Sequence, residues 1–196
     1  MILIHRTDTD PYFNIAAEEY VLKHIDEDVF MLWTNTPSVI VGKHQVTVAE
    51  ANITYTHRHN IPVIRRISGG GTVYHDEGNL NYSLVVRGEK GKLVDYHKYS
   101  STIINALQRQ GLNASLEGKS NLVVDGLKFS GNAEHVYRDR VLHHGTILFD
   151  SDLEQLRKCI RPLHDHYNDR SVRSKDSRII NLRELLPAST DRKSVV

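Results

Sequence analysis

Cysteine is all but absent from this chain of 196 residues: Cys159 stands alone, so no internal disulfide can form and nothing points to an oxidising compartment. A surplus of one charge is missing too. With 25 Lys and Arg against 24 Asp and Glu, the formal net charge is +1, which gives no electrostatic argument for nucleic acid. No apolar run approaches the roughly 20 residues needed to span a bilayer. The hydrophobic start, Met1 to Ile4, is too short for a signal peptide, so a soluble cytoplasmic chain with no membrane partner is expected. The spacings G-x-x-x-x-G-K-S/T and G-x-G-x-x-G are both missing, which excludes a Walker loop and a dinucleotide fingerprint. There is no internal repeat and no low-complexity segment.

What is present is enough for one domain, with 39% hydrophobic residues and a length able to bury a sizeable core. Ile2 to His5 reads as a strand, and Asp10-Pro11 as the start of a helix running from about Asn14 to Ile25. Glu18 falls on that helix's apolar stripe with Ile15, Leu22 and Ile25, so it needs a partner. Pairing with an arginine beneath the helix and a place beside a ligand are both open. Val29 to Thr34 and Val39 to Val41, split by Asn35-Thr36-Pro37-Ser38, suggest neighbouring antiparallel strands. Short helices are expected over Asn52 to Asn60, Asp152 to Ile160 and Asn181 to Leu186, and a longer one over Tyr99 to Gln110. Asp125-Gly126 marks a tight hairpin that places Lys128 just inside a strand, and a second hairpin turns at Tyr137 to Arg140 and returns through Phe149.

The chemistry concentrates between Arg65 and Ser83. Three consecutive glycines, Gly69 to Gly71, lie between the strand-like runs Ile61 to Ile64 and Thr72 to Tyr74. Glycines there can take positive φ and present bare N–H groups to an anion, with Arg66 as a forked cationic donor. A Gly-rich hairpin with an exposed arginine pair is the plainer reading of the glycines alone. Likewise, a lone hairpin lysine such as Lys128 is ordinarily solvated, and a single tryptophan such as Trp33 is ordinarily core. The pairs His57/His59 and His164/His166 lack further ligands at zinc spacing and read as exposed loop histidines. Adjacent His143 and His144 on a strand point to opposite faces and cannot chelate one ion.

Taken whole, Arg65 to Asn79 resembles the signature of lipoate-protein ligases, R-R-x-S-G-G-G-A/T-V-Y/F-H-D-x-G-N, within the wider family of lipoyl, octanoyl and biotin transferases. The K-x-S-G-x-A pattern follows as Lys128 to Ala133, and His143 to Thr146 matches H-H-G-T. From about Phe30 to Leu186 the similarity is nearly continuous. It implies an α+β fold of mixed β-sheets flanked by helices, like lipoate and biotin ligase catalytic domains. The activity it implies is activation of lipoate with ATP and Mg²⁺ to lipoyl-AMP, then transfer to a lysine of an apo lipoyl domain, in a 2-oxoacid dehydrogenase complex or the glycine cleavage H protein. The family's essential lysine falls on Lys128, which would bridge the lipoate carboxylate and the α-phosphate. ATP and lipoyl-AMP contacts would fall on Arg66, Gly71, Thr72, Val73, Tyr74, His75, Asn79, Asn121 and Lys128, with Tyr74 near the adenine. The lipoate pocket would involve Trp33, Gly69, Gly70, Ser130, Gly131, Ala133 and His144, bordered by the corner Gly42 to Gln45. Ser171 to Ser174 also echoes the family, as a loop near the site.

The chain departs from the pattern at Val46, where the family usually has Asn, and at Ser120-Asn121, where it often has Asn-Asp; the metal ligands stay unassigned. Bacterial members usually continue beyond the Leu185-Leu186-Pro187 point, so residues 1–196 are expected to be the catalytic domain without its accessory domain. A cut at a domain boundary, a natural short form and an accessory domain on a separate polypeptide all fit. Two rival readings are an ATP-independent octanoyl or lipoyl transferase working through a cysteine thioester, and a non-catalytic lipoate-binding protein. The first needs an activated thiolate; the related nucleophile follows a proline, whereas Leu163 follows Pro162 here. The second has no need of Lys128 and Arg66 together.

Overall fold

A computed structural model describes residues 1–160, 171–174 and 177–191. His164, His166, Pro162 and Leu163 lie outside the described residues. The chain begins with β1 (Ile2–His5), and Asp10 then caps α1 (Pro11–His24) by accepting from Tyr12 N at 2.8 Å and Phe13 N at 3.2 Å. β2 (Val29–Trp33), β3 (Ser38–Val41), α2 (Thr47–Glu50), α3 (Ile53–Arg58), β4 (Val63–Arg65), β5 (Val73–His75) and β6 (Asn79–Arg87) follow. Asp95 caps α4 (Tyr96–Arg109), and then come β7 (Ala114–Glu117), β8 (Asn121–Val124), β9 (Leu127–Tyr137), β10 (Arg140–Leu148) and α5 (Leu153–Cys159). A single 3₁₀ turn, Leu182–Glu184, stands where a short helix was expected.

Seven strands form the main sheet in the order β1-β2-β6-β10-β9-β8-β7, and β4-β3-β5 form a smaller one. Both are mixed, since β1 pairs parallel to β2 and β3 parallel to β4 while their other pairings are antiparallel. This agrees with the α+β expectation. The two faces of the main sheet are covered differently, which is why β10 is buried along its whole length. α1 packs Ile15 and Leu22 over Met31, Val85 and Leu142 on one face, and α4 packs Ile103 and Leu107 over Tyr82, Leu122 and Phe129 on the other. The small sheet closes over α3 and α5 through Val39, Val41, Tyr74, Leu156 and Cys159.

One strand expectation fails. β2 and β3 are not neighbours: β2 lies between β1 and β6, and the turn after it hands the chain to the other sheet. The turn is fixed by buried Asn35, whose Oδ1 accepts from Asn14 Nδ2 at 3.0 Å and whose Nδ2 donates to His75 Nδ1 at 3.1 Å. A turn nailed to α1 and β5 cannot fold β3 back along β2. The two hairpins form as expected, with Asp125 at φ 50° and Gly126 at φ 77° in the first, and Arg138 at φ 57° in the second.

Candidate functional site

Two cavities open beside each other where the small sheet meets the α1-covered face of the main sheet. The first, about 470 Å³, has an apolar wall of Ile15, Trp33, Ile40, Val73 and Ala133 and a polar wall that includes Glu18, Arg66, His75, Asn81 and His144. The second, about 1070 Å³, lies under α5 and is lined by Tyr55, Tyr74, Leu148, Leu156, Arg157 and Ile179. Thr72, Val73, Gly131, Thr146 and Lys128 belong to both. Lys128 therefore stands at the seam.

Its position depends on a β-bulge. β8 pairs Leu122 with Ser130 but Val123 with Lys128, so Phe129 and Ser130 together answer one residue on the partner strand. Strict alternation would send Lys128 and Gly131 to opposite faces. The bulge resets it, and Lys128 Nζ lies only 3.4 Å from where a Cβ on Gly131 would be. Phe129 fills the core instead, fully buried. On its other edge Lys128 bonds backbone to backbone, its N–H donating to Arg178 O at 2.9 Å and its O accepting from Ile180 N at 3.0 Å. Among the described residues no carboxylate pairs with the ammonium, and desolvation by burial lowers its pKa from the usual lysine range. Gly131, tight against the lysine, leaves the seam free of a side chain.

A buried hydrogen-bonded chain backs the first cavity. Trp33 Nε1 donates to Ser83 Oγ at 2.8 Å, and Ser83 Oγ donates to Glu18 Oε1 at 2.6 Å. His144 Nδ1 lies 2.8 Å from the same Glu18 oxygen, and because a carboxylate only accepts, Nδ1 carries the proton. In the neutral ring Nε2 then accepts from Ser68 Oγ at 2.6 Å, and Ser68 Oγ accepts from Arg66 Nε at 3.0 Å. Glu18 thus pairs with His144 and Ser83 rather than with an arginine, because β10 and β6 put those side chains directly beneath α1. His143, on the opposite face as expected, bonds Glu134 at 2.9 Å.

Arg66 is largely occupied by its own loop. Nη1 donates to Ile40 O at 3.1 Å, and Nη2 to Gly69 O and Gly71 O, both at 2.6 Å. It shapes the glycine turn as much as it charges the cavity. Burial draws its pKa down to about 10, opposed by Glu18, so it stays cationic at neutral pH. Only Gly70 of the three glycines takes positive φ, at 87°. His75 is held neutral: burial first, then Arg66 and His144, push its pKa down to about 3.

Of the residues singled out from sequence, Trp33, Arg66, Gly70, Gly71, Thr72, Val73, His75, Asn121, Lys128, Gly131, Ala133 and His144 line the first cavity. Tyr74 faces the second cavity and α5, its hydroxyl donating to Gln155 Oε1. Ser130 turns to the second cavity and accepts from Asn132 Nδ2 at 3.3 Å. Gly69 contributes a carbonyl to Arg66 and lines neither cavity. Asn79 is fully buried and lines neither; its Nδ2 donates at 2.7 Å to Asn81 Oδ1, and Asn81 takes the place on the wall. Gln45 is a brace, accepting from Gly42 N at 3.0 Å and Thr72 Oγ1 at 2.9 Å through Oε1. Arg173 and Ser174, from the loop expected near the site, line both cavities. His57 and His59 are exposed, and among the described residues no group of three or more His, Cys, Asp or Glu could hold a metal ion. No helix among the described residues is long and apolar enough to cross a membrane. Cys159 is fully buried in the small-sheet core, and burial pushes its thiol up to about 11.

Comparison with known proteins decides the family. The model of the lipoyl protein ligase A/B catalytic domain matches residues 10–196. The chain belongs to that family. Lipoate-protein ligase 1 of Staphylococcus aureus is 41% identical over 180 residues, which is 91% of this chain and 55% of that protein. The chain therefore spans about half the length of that curated relative. Among solved structures, LipL1 of P. falciparum in complex with lipoate superposes with a TM-score of 0.86 at 26% identity, over 99% of this chain and 58% of that one. A bi-partite lipoate protein ligase from Thermoplasma acidophilum, described with its E2 lipoyl domain, shares the fold at a TM-score of 0.85 and 23% identity, over 99% of this chain and 78% of that one.

Proposed function

We propose that this chain is the adenylation and transfer domain of a lipoate-protein ligase, acting in the cytoplasm. The single observation that carries the reading is the seam: two adjoining cavities share one half-buried lysine that no described carboxylate neutralises. The first cavity, about 470 Å³ and apolar on one wall, takes lipoate, the ligand named for LipL1. The second takes the nucleotide, with Thr72, Val73 and Tyr74 along it. The carboxylate and the α-phosphate then meet at Lys128.

In the first step a lipoate carboxylate oxygen attacks the α-phosphorus, the bond to the β-phosphate breaks, and pyrophosphate leaves. Lys128 and Arg66 offset the negative charge gathered there, in a site where solvent screening is weak. In the second step a lysine amine of a lipoyl domain, the partner described for the Thermoplasma protein, attacks the acyl carbon and AMP leaves. Acceptors would be lipoyl domains of 2-oxoacid dehydrogenases or the glycine cleavage H protein. With no group of three or more His, Cys, Asp or Glu among the described residues able to hold a metal ion, Mg²⁺ would enter on the nucleotide's phosphates. The thioester alternative is disfavoured by a Cys159 that is buried and held protonated.

The test is pyrophosphate release by the purified chain with ATP, Mg²⁺ and lipoate, followed by lipoylation of an apo lipoyl domain. Lipoate-dependent release is expected. Acyl transfer from an octanoyl thioester without ATP, and no release with any acid, would overturn the reading.

A further inference from the structure

Four residues that the sequence motifs do not explain together, Gln45, Glu50, Thr72 and Ser174, form one hydrogen-bonded latch. Glu50 ends α2 and is 5% exposed, yet its hydrogen-bond partners in the described chain are neutral. Its Oε2 accepts from the Ser174 hydroxyl and from Ser174 N at 3.2 Å. Ser174 Oγ accepts in turn from Thr72 N at 2.9 Å and from Gln45 Nε2 at 3.2 Å. One residue pair further along, Gln45 Nε2 donates to Val172 O and Val172 N donates to His44 O, both at 3.3 Å. The segment 171–174 lies directly on the glycine turn: a Cβ on Gly71 would come within 3.1 Å of Ser174 Oγ.

Val172, Arg173 and Ser174 are exposed, so burial does not hold this segment in place. The hydrogen bonds do. Lifting it would leave a buried carboxylate short of two donors and the Thr72 amide without a partner, and stranding a buried charge is the costliest way to lose a hydrogen bond. Ser174 and Arg173 line both cavities, so the segment closes the seam from outside, over the place where the ligase reading puts the acyl-phosphate anhydride. An anhydride waiting for an amine is exposed to water: a water oxygen attacks the acyl carbon, the acyl C–O bond to phosphate breaks, and lipoate and AMP are released with nothing transferred. Keeping water out is a recognised benefit of a closed site.

We propose that Glu50 is a positioning residue which, acting through Ser174, holds segment 171–174 over the seam and keeps adenylate formation coupled to transfer. The proposal rests on the ligase reading. Glu50 lines the second cavity and not the first, so lipoate binding should not depend on it.

The test measures AMP formed per lipoyl group transferred, with apo lipoyl domain present, for wild type, Glu50→Ala, Glu50→Gln and Ser174→Ala, together with lipoate affinity. Losing a charge-assisted hydrogen bond shifts an open–closed equilibrium by about tenfold or more, so wasted AMP should rise on that scale in Glu50→Ala and Ser174→Ala. Glu50→Gln keeps an acceptor oxygen for Ser174 and should restore most of the coupling, with lipoate affinity unchanged in both Glu50 variants. If Glu50→Ala fails to fold, Ser174→Ala decides, because that side chain lies in the exposed segment. A wild type that makes no adenylate defeats the ligase reading itself. An active wild type whose Ser174→Ala variant wastes no more AMP than it does defeats the role given to Glu50.

Discussion

Gly42→Ala should damage the site although Gly42 itself lines neither cavity. A Cβ on Gly42 would stand 2.2 Å from Gly70 O and 3.1 Å from Gly70 C, both backbone atoms of the glycine turn. Ordinary contact needs more than an ångström of extra room. The Gly42 side cannot easily give way, since Arg65 Nη1 donates to Gly42 O at 2.7 Å and to Gln45 O at 2.9 Å, and Gly42 N donates to Gln45 Oε1. Gly70 must therefore retreat, and it carries with it the carbonyls that Arg66 grips at Gly69 and Gly71. Overpacking of this kind costs about 1–3 kcal/mol. A displacement near 1 Å beside reacting groups costs on the order of 100-fold in rate. Pyrophosphate release and urea unfolding of the same preparation measure the two effects. Gly111→Ala is the control: Gly111 has φ 85° and open space around it, so alanine there should cost about 1–2 kcal/mol by strain alone and leave the rate intact. A Gly42→Ala enzyme with wild-type rate and stability would refute the close packing of the turn. So would a Gly111→Ala enzyme that loses activity equally.

Two further outcomes are expected. Cys159→Ala should keep both half-reactions, since the thiol is buried and protonated; a well-folded but inactive variant, or a thioester trapped on Cys159, would favour the transferase chemistry. His75, neutral in the fold with a pKa near 3, stabilises the protein fully above the unfolded value of about 6.5 and progressively less as pH falls towards 3. It should alone remove about 2 kcal/mol between pH 7 and pH 5, and urea titrations at the two values should show that loss shrinking in His75→Gln; an equal loss in the variant would contradict it.

The local elements were legible because their signals are local. Asp10-Pro11 caps α1, Asp125-Gly126 turns a hairpin, and His143 and His144 part to opposite faces by strand geometry alone. What stayed hidden depends on contacts between distant residues. The separation of β2 from β3 is set by Asn35 reaching α1 and β5, which no run of apolar residues announces. The bulge at Phe129 aims Lys128 at the seam, yet Lys128 to Ala133 reads as plain strand. Glu18 was recognisable as an acid needing a partner, but the partner, His144, is 126 residues away. Arg66 looked like a free donor because sequence cannot show that Ile40, Gly69 and Gly71 carbonyls absorb its N–H groups.

The most direct measurement of the central claim compares wild type with Lys128→Ala, by mass spectrometry for lipoyl-AMP formed from lipoate and ATP, with unfolding followed in parallel. Lys128 is half-buried, pairs with no carboxylate among the described residues and has its charged form disfavoured by desolvation, so its removal should not unfold the chain. Adenylate formation should fall by at least about 100-fold, the scale of losing one preorganised donor at a developing charge. Lipoyl-AMP appearing at the wild-type rate in a folded Lys128→Ala protein would contradict the account.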